Sequence, residues 1–397
     1  MLPRSSQRRN EILTGLFGIV FYFGGFLAAE LGLRVLNSMR FGNLETLIVP
    51  ASELKERQHA SETGEAVMKS RKGFYVMKKT GLRLPYPNQT LGFVKINNHG
   101  FRGPDLQKEK PTGFVRFAFL GSSTTYDAEV NDGMTWPEQV IANLRPAISG
   151  CEVDFINAGL PGFQIHKMGV YWNTVVREFD PDVMIVLPGD MTIDIQNAAS
   201  AEGYDRQQFL KKNWLSEHSV IWEAIEKNMH VLKVQRTAFS EEEKFKPDYT
   251  ELAKKFSHRL DNLIQSVLNQ DVLLVVPTIA SHIRREMPPE KQLIAADSAL
   301  LFMPYVSIPT LIDLQEIYNQ AIRDTVSRYK ALLLVTGDEA IPPDNRHFTD
   351  SRHFTAQGSA VMGRRIANVL LASSQFHNHL KARGGCTITS ANPDVKP

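Results

Sequence analysis

Five short apolar runs recur between residues 115 and 335 of this 397-residue chain, and they limit its fold more than any other feature. They are nearly continuous rather than alternating, which is typical of strands covered on both faces of a parallel sheet. Helical patterns lie between them, including an apolar helix face that extends from Leu252 to Leu268. Alternating strands and helices predict a doubly wound α/β domain over residues 114–372. The five runs are Val115–Leu120, Val153–Ile156, Val183–Leu187, Val272–Val276 and Ala331–Val335.

The charge balance and the motif content argue against several functional classes. Lys and Arg total 45 against 43 Asp and Glu, so the net charge of +2 gives no indication of nucleic-acid binding. The sequence has no dinucleotide fingerprint, no phosphate-loop lysine and no zinc-like ligand spacing, so we expect neither a cofactor nor a metal. The two cysteines, Cys151 and Cys386, have no CxxC spacing and neither indicate nor exclude an oxidising compartment.

The N-terminal region contains 18 consecutive uncharged residues, from Ile12 to Ala29. This length is close to the minimum for a helix that spans a bilayer, and apolar residues continue to Leu36. The pattern predicts a transmembrane anchor, or an uncleaved signal, over residues 12–36. A cleaved signal peptide that ends near Ala29 and a buried helix are the alternatives.

Positive charge flanks this segment on both sides, with Arg4, Arg8 and Arg9 before it and two arginines shortly after it. The excess before the segment favours a cytoplasmic N-terminus over residues 1–11. The prediction is therefore a single-pass protein of the inner (cell) membrane. Its N-terminal helix contacts the membrane, and its C-terminal domain is extracytoplasmic or periplasmic.

The remaining segments flank or interrupt the predicted domain. Residues 37–113 combine a polar stretch with a region rich in Pro, Gly and Asn, which predicts a stalk and an irregular lead-in. Two long excursions, at 195–247 and 283–311, exceed a simple crossover. We expect them either to form a lid or substrate wall or to pack as decoration on the sheet. The polar tail at 373–397 is expected to be disordered.

A serine-rich block, GSSTT at residues 121–125, follows the first apolar run. A glycine at the end of a strand permits a tight exit, and a serine on a strand-to-helix bend is exposed as a nucleophile requires. A hydroxyl is a poor nucleophile at neutral pH and needs an adjacent base. Without such a base, the same block also fits a helix-capping cluster that has no catalytic role.

A candidate base lies near the C-terminus, in the stretch DSRHFT at residues 350–355. An aspartate three residues before a histidine places the base and the acceptor that orients it on a single turn. The same pattern occurs six residues earlier, so Asp344 and His347 form a competing pair. We favour Asp350 and His353, because only this copy leads into an amphipathic helix.

Together with two further stretches, these blocks resemble the SGNH (GDSL-type) hydrolase family, and within it bacterial members with a membrane anchor and a G-x-S-T-T nucleophile block. The similarity covers about residues 95–372. It implies a flavodoxin-like, three-layer, doubly wound parallel sheet with helical insertions. The matching stretches are FLGSSTT at 119–125, NAGLPG at 157–162, DSRHFTAQG at 350–358 and, in the lead-in, NNHGFRG at 97–103.

The resemblance assigns roles position by position. It implies that Ser123 is the nucleophile, His353 the base and Asp350 the acid that orients the base. The backbone N–H groups of Ser123 and Gly162 would donate to the oxyanion. We therefore expect a Ser-His-Asp ester hydrolase that works outside the cytoplasm through an acyl-enzyme. Its expected substrate is an acylated small molecule or an O-acylated glycan.

One block departs from the family pattern, which has an asparagine after the third strand to complete the oxyanion hole. The corresponding positions here are Asp190 or Met191, and neither supplies a suitable donor, although Thr192 follows them. The loss of one such donor costs about a hundred- to a thousandfold in rate. Two alternatives to the hydrolase stay open. One is an O-acyltransferase on the same scaffold, and the other is a catalytically degenerate glycan-binding or scaffold protein.

Overall fold

The computed structural model describes residues 22–36, 73–91, 94–189, 191–204, 214–330 and 332–388. Several predicted segments lie partly or wholly outside these ranges. They are the cytoplasmic N-terminus at 1–11, the first part of the anchor, the stalk up to residue 72 and the end of the tail. Asp190 of the third block also lies outside the described residues.

A five-stranded parallel sheet forms the centre of the main domain. In chain order, the described strands are β1 (Phe74–Val76), β2 (Arg83–Pro85), β3 (Gln89–Leu91), β4 (Val94–Ile96), β5 (Phe114–Gly121), β6 (Ile148–Ser149), β7 (Glu152–Gly159), β8 (Val183–Leu187), β9 (Leu273–Pro277), β10 (Leu332–Val335) and β11 (Thr387–Ile388). The order across the central sheet is β7-β5-β8-β9-β10. If the five strands of this sheet are numbered along the chain, with β5 as the first, their order across the sheet is 2-1-3-4-5. This order is flavodoxin-like.

The chain changes direction across the sheet at β5. β7 pairs with one edge of β5 and β8 with the other, and Gly121 lies opposite both Gly159 and Leu187. The carboxyl ends of these three strands are therefore level. In open α/β sheets, ligands bind in the crevice at this topological switch point.

Helices cover both faces of the sheet. In chain order, the described helices are α1 (residues 22–36), α2 (Ser123–Tyr126), α3 (Trp136–Leu144), α4 (Ile165–Thr174), α5 (Met191–Ala201), α6 (Trp214–His218), α7 (Val220–Arg236), α8 (Tyr249–Leu268), α9 (Pro289–Ala295), α10 (Asp297–Phe302), α11 (Ile308–Ser327), α12 (Ala356–Leu371) and α13 (Ser374–Gly384), with 3-10 turns at Arg145–Ala147 and Val176–Phe179.

Two hydrophobic cores lie on opposite faces of the sheet. Phe117 and Phe119 belong to the core formed with α3, α12 and α13, whereas Ala118 and Leu120 belong to the core formed with α4, α8 and α11. Both faces of β5 are thus buried, which explains why its sequence is continuously apolar. A five-stranded parallel sheet between helix layers confirms the predicted α/β class.

Helix α1 contains the described part of the predicted anchor. The Glu30 carboxylate accepts hydrogen bonds from the backbone N–H groups of Val220 (2.8 Å) and Ile221 (3.0 Å), at the start of α7. Glu30 also forms an ion pair with Arg34 at 2.9 Å. Over the ranges that the structure describes, no helix combines the length and apolar character needed to span a membrane.

The lead-in before β5 is more regular than predicted. It forms two short antiparallel strand pairs, β1 with β2 and β3 with β4. Gly81 adopts a φ of +70° in the turn between β1 and β2, a conformation that glycine allows at low cost. Leu84 and Phe101 are buried in the main core, so this segment packs as part of the domain.

The C-terminal tail is ordered over its described part, so the prediction of disorder at 373–397 is wrong up to residue 388. Residues 374–388 contain α13 and β11, and β11 pairs with β6. Phe376 and Leu380, on one face of α13, are fully buried against the sheet. Cys386 forms a disulfide with Cys151. The polar composition of this segment suggested disorder. Two buried apolar side chains and one disulfide are nevertheless enough to hold a short helix against the domain.

Candidate active site

A pocket of about 400 Å³ opens at the carboxyl edge of the sheet, at the switch point. Its walls come from the segments that follow β5, β7 and β8, from α10 and from residues 350–353. The second excursion contributes Phe302 and Met303 to the pocket wall. At the start of the first excursion, α5 contributes Gln196.

Ser123 begins α2, directly after β5 and Ser122. Two glycines at neighbouring strand ends let this turn lie directly on the sheet. A Cβ atom at Gly159 would lie 2.3 Å from the backbone nitrogen of Tyr126, and one at Gly189 would lie 2.5 Å from the Ser122 hydroxyl. A side chain at Gly159 would therefore push the Ser123 turn away from the sheet, because packed backbone atoms cannot give way cheaply.

Ser123 and His353 are 230 residues apart in sequence, yet they are in contact. His353 Nε2 lies 2.9 Å from Ser123 Oγ, and His353 Nδ1 lies 2.8 Å from Asp350 Oδ2. Asp350 Oδ1 accepts the backbone N–H groups of Arg352 (2.7 Å) and His353 (2.8 Å). When Nδ1–H donates to Asp350, Nε2 is free to accept the serine proton, which is the arrangement that a general base needs.

The charges around the imidazole suit this role. Burial acts to lower the pKa of His353, but the hydrogen bond to Asp350 and the negative charges of Asp350, Glu129 and Asp127 outweigh it and raise the pKa. Burial acts to raise the pKa of Asp350, but hydrogen bonds from His353 and the backbone lower it to about 2. Asp350 is therefore ionised wherever His353 titrates, and it can stabilise the imidazolium that forms during proton transfer.

The competing copy makes the same local contact but does not line the pocket. His347 Nδ1 lies 2.7 Å from Asp344 Oδ1, and His347 is buried. The two copies pair with each other through an antiparallel bridge between Phe348 and Phe354. The first copy therefore supports the second, and the structure brings His353 rather than His347 to Ser123.

His282 is a supporting residue to which the sequence assigned no role. Its backbone N–H donates to the Ser351 carbonyl at 3.0 Å, and its Nδ1 lies 3.2 Å from the Asp350 carbonyl. The His282 ring stacks on Phe348 with 5.4 Å between centroids. The sequence signal that could have indicated this role was its position shortly after β9, because ligands bind at the carboxyl ends of parallel strands.

A second support lies beneath the Ser123 turn. Asp127 ends α2 with a φ of +57°, and its Oδ2 accepts hydrogen bonds from the Ser359 hydroxyl (2.8 Å) and the Trp136 backbone (3.2 Å). Burial raises the pKa of Asp127 to about 7, against the effects of Ser359 and Arg102. Asp127 thereby joins the Ser123 turn to α3 and to α12, the helix that follows His353.

The lead-in contributes Arg102 to the same support. Its buried guanidinium donates to the carbonyl of Tyr126 at 2.6 Å and pairs with Asp132 at 2.9 Å. The stretch NNHGFRG, noted only as part of the family resemblance, therefore holds the carboxyl end of the Ser123 turn.

The third block supplies no asparagine to the pocket. Met191 is buried in the hydrophobic core, which removes it as a candidate for the oxyanion position. Thr192 lines the pocket, as does Gly162, which has a φ of +68°. Within the described ranges, no group of three or more His, Cys, Asp or Glu side chains is arranged to hold a metal ion.

Known proteins resemble this chain in three-dimensional structure but not detectably in sequence. No protein-family model matches the sequence, and no curated protein matches it. Among solved structures, the chain is similar to LAE5, an alpha/beta hydrolase enzyme from the metagenome of Lake Arreo, Spain. The identity is 14%, the match covers 66% of this chain and 95% of LAE5, and the TM-score is 0.38.

Two further similar structures are esterases or lipases by name. One is Axe2, an acetylxylan esterase from Geobacillus stearothermophilus, with 12% identity, 65% and 94% coverage of the two chains and a TM-score of 0.38. The other is the lipase/acylhydrolase from Enterococcus faecalis, with 14% identity, 64% and 94% coverage and a TM-score of 0.38. At these identities and TM-scores, the chemistry of the pocket has to be argued from its own residues.

Proposed function

We propose that this protein is a serine-dependent esterase that cleaves an acylated small molecule or an O-acylated carbohydrate through an acyl-enzyme. The observation that carries the proposal is the continuous chain of contacts from Asp350 through His353 to Ser123 at the pocket. Nothing in a structural capping cluster requires a half-buried carboxylate, an imidazole and a hydroxyl in line.

The proposed reaction has two halves. His353 Nε2 takes the proton from Ser123 Oγ as the oxygen attacks the acyl carbon, and the backbone N–H groups of Ser123 and Gly162 stabilise the oxyanion. His353 then protonates the departing alcohol, which leaves an acyl group on Ser123. In the second half, His353 deprotonates water, whose attack releases the acid and restores the serine. A sugar hydroxyl in place of water would make the same enzyme an O-acyltransferase.

Labelling with a fluorophosphonate probe tests the proposal directly. We expect covalent labelling at Ser123 and hydrolysis of small aryl acetates by the wild-type protein. Both are abolished in Ser123→Ala, and both fall on the order of a thousandfold in His353→Ala, because the hydroxyl then has no base. The internal duplication offers a matched control, since His347→Ala removes the same side chain from the copy that does not contact Ser123. Loss of activity in His347→Ala with full activity in His353→Ala would contradict the proposal.

The second candidate function is a catalytically degenerate member that binds or scaffolds a glycan. The position of Met191 in the core favours it, because the family's third oxyanion donor is then missing. If the folded wild-type protein is not labelled by the probe and turns over no aryl acetate, the binding function is supported instead. Thr192→Val separates the two further, because a rate loss of about a hundredfold would identify Thr192 as the replacement donor.

We also propose that the pocket works outside the cytoplasm, in a protein held at the inner membrane by residues 12–36. The disulfide between Cys151 and Cys386 supports an oxidising compartment, because structural disulfides are rare in the reducing cytosol. An alkaline phosphatase reporter fused to the C-terminus is expected to be active in cells. It is expected to be inactive when residues 1–36 are deleted. An active reporter after that deletion would reject the role of this segment in targeting.

A further inference from the structure

Among the described residues that line the pocket, one cationic side chain has no part in the proposed reaction. In sequence, Arg352 lies between Asp350 and His353. It is the only lysine or arginine among the described residues that line the pocket. The residue is half-buried and forms part of the pocket wall.

The charge of Arg352 is poorly balanced by the described protein groups. The nearest carboxylate in sequence, Asp350, is occupied by His353 Nδ1 through one oxygen and by two backbone N–H groups through the other. None of the described ion pairs involves Arg352, whereas the buried Arg116 and Arg102 each have a carboxylate within 3 Å. An arginine without an ion pair at a pocket wall retains the capacity to bind an anion.

Burial disfavours the charged form of this side chain. It lowers the pKa of Arg352 to about 10, although the negative charge of Asp350 opposes the change. The side chain therefore stays protonated at neutral pH but is less well solvated than a surface arginine. A ligand that brings a negative charge would offset this cost, because it replaces water with a charge-assisted hydrogen bond.

We propose that Arg352 selects ester substrates that carry a negative charge, a carboxylate or a phosphate, close to the scissile bond. The inference rests on the proposed esterase function and narrows its substrate class. A planar guanidinium matches both groups, because each presents two oxygens to its parallel N–H donors. Among acylated carbohydrates, this chemistry corresponds to O-acetylated uronosides and to O-acetylated sugar phosphates.

Three matched substrates test the proposal with the full-length, disulfide-bonded protein. They are a methyl glucoside acetylated at one ring hydroxyl, the uronoside with the same acetyl group and a carboxylate at C6, and the corresponding 6-phosphate. We expect kcat/KM to be about tenfold or more higher for at least one anionic ester, mainly through a lower KM. The two anionic arms distinguish carboxylate from phosphate recognition. Equal values for all three substrates would overturn the proposal.

The tandem duplication again offers a matched control. Arg346 occupies the position of Arg352 in the first copy and is exposed outside the pocket. We expect Arg352→Gln to reduce the preference for the anionic ester to nearly one, and Arg352→Lys to retain part of it. Arg346→Gln is expected to keep the wild-type preference. A preference that survives in Arg352→Gln would assign the selection to another group and reject this inference.

Failure of the inference is distinguishable from failure of the proposed function. Fluorophosphonate labelling of Ser123 and turnover of the neutral glycoside, without any anionic preference, would leave the esterase intact and remove the role of Arg352. Absence of both labelling and turnover in the folded wild-type protein would remove the esterase and the inference together. The wild-type comparison of substrates does not depend on whether any Arg352 variant folds.

Discussion

The imidazole of His353 lies between the Asp350 carboxylate and the Ser123 hydroxyl, which is the position of the base in the proposed reaction. Three acidic side chains act on it: Asp350 through a hydrogen bond and its charge, and Glu129 and Asp127 through charge alone. Their combined effect exceeds that of burial, so the pKa of His353 is raised above 6.5. A protonated His353 cannot accept the serine proton.

The raised pKa of His353 predicts how the proposed esterase activity depends on pH. We expect kcat/KM for an aryl acetate to rise with pH and to level off above a midpoint that is higher than 6.5. Asp350→Asn removes the main source of this shift, so its midpoint is expected at lower pH. Its plateau is expected to fall on the order of a thousand- to ten-thousandfold, because the imidazole loses its orienting acceptor.

A series of pH–rate profiles measures both effects, and the duplicated copy supplies the control. Asp344→Asn changes the equivalent carboxylate beside His347 and is expected to leave the midpoint and the plateau unaltered. If Asp350→Asn kept the wild-type midpoint, the ionisation seen in the profile would belong to another group.

At the scale of elements, the site depends on how closely α12 approaches α3. Gly363 of α12 lies at this crossing, and a Cβ atom there would lie 2.4 Å from Gln139 Cβ and 2.9 Å from the Val140 nitrogen. Because α12 follows His353 directly, a shift of this helix would also move the base relative to Ser123.

Gly363→Ala is therefore expected to lower the free energy of unfolding by roughly 1–3 kcal/mol, because backbone atoms of α3 have to move. The opposite result is expected at Gly169 in α4, where an added Cβ meets no atom within 4 Å. Gly169→Ala should raise the free energy of unfolding by up to about 1 kcal/mol through helix propensity. Urea unfolding of the two variants and the wild type gives the comparison. Stabilisation by both substitutions would mean that the helices do not cross as closely as described.

At the scale of the whole molecule, the disulfide between Cys151 and Cys386 closes a loop over a sequence separation of 235 residues. This loop contains four strands of the central sheet and the Asp350–His353 block, and its ends join α13 and β11 to the start of β7. The bond therefore links the C-terminal segment to the edge of the sheet opposite β10.

Reduction of this bond is expected to lower the free energy of unfolding by roughly 2–5 kcal/mol, because a long closed loop restricts the unfolded chain most. The measurement is urea unfolding with and without reductant. In the double variant Cys151→Ser, Cys386→Ser, the reductant should have no further effect. Identical unfolding curves for the oxidised and reduced wild type would show that the link contributes nothing to stability.

The α/β class and most positions of the central strands could be predicted from the amino-acid sequence alone, because an apolar run covered on both faces is a local pattern. The sequence also indicated Asp350 and His353 as a pair, since a spacing of three residues brings an acid and a base onto one turn. The stretches before β5 and after residue 373 were misjudged, because their order comes from Arg102, Phe376 and Cys386, whose partners lie far away in the chain.

Two features could not be predicted in this way: which of the two nearly identical Asp–His pairs contacts Ser123, and the burial of Met191 in the core. These outcomes depend on how strand ends and helices separated by up to 230 residues are packed against each other. Local periodicity carries no information about such distances. The same limit explains why Arg352 had no assigned role in the sequence, because its location at the pocket wall appears only once Ser123, α10 and the C-terminal block are brought together.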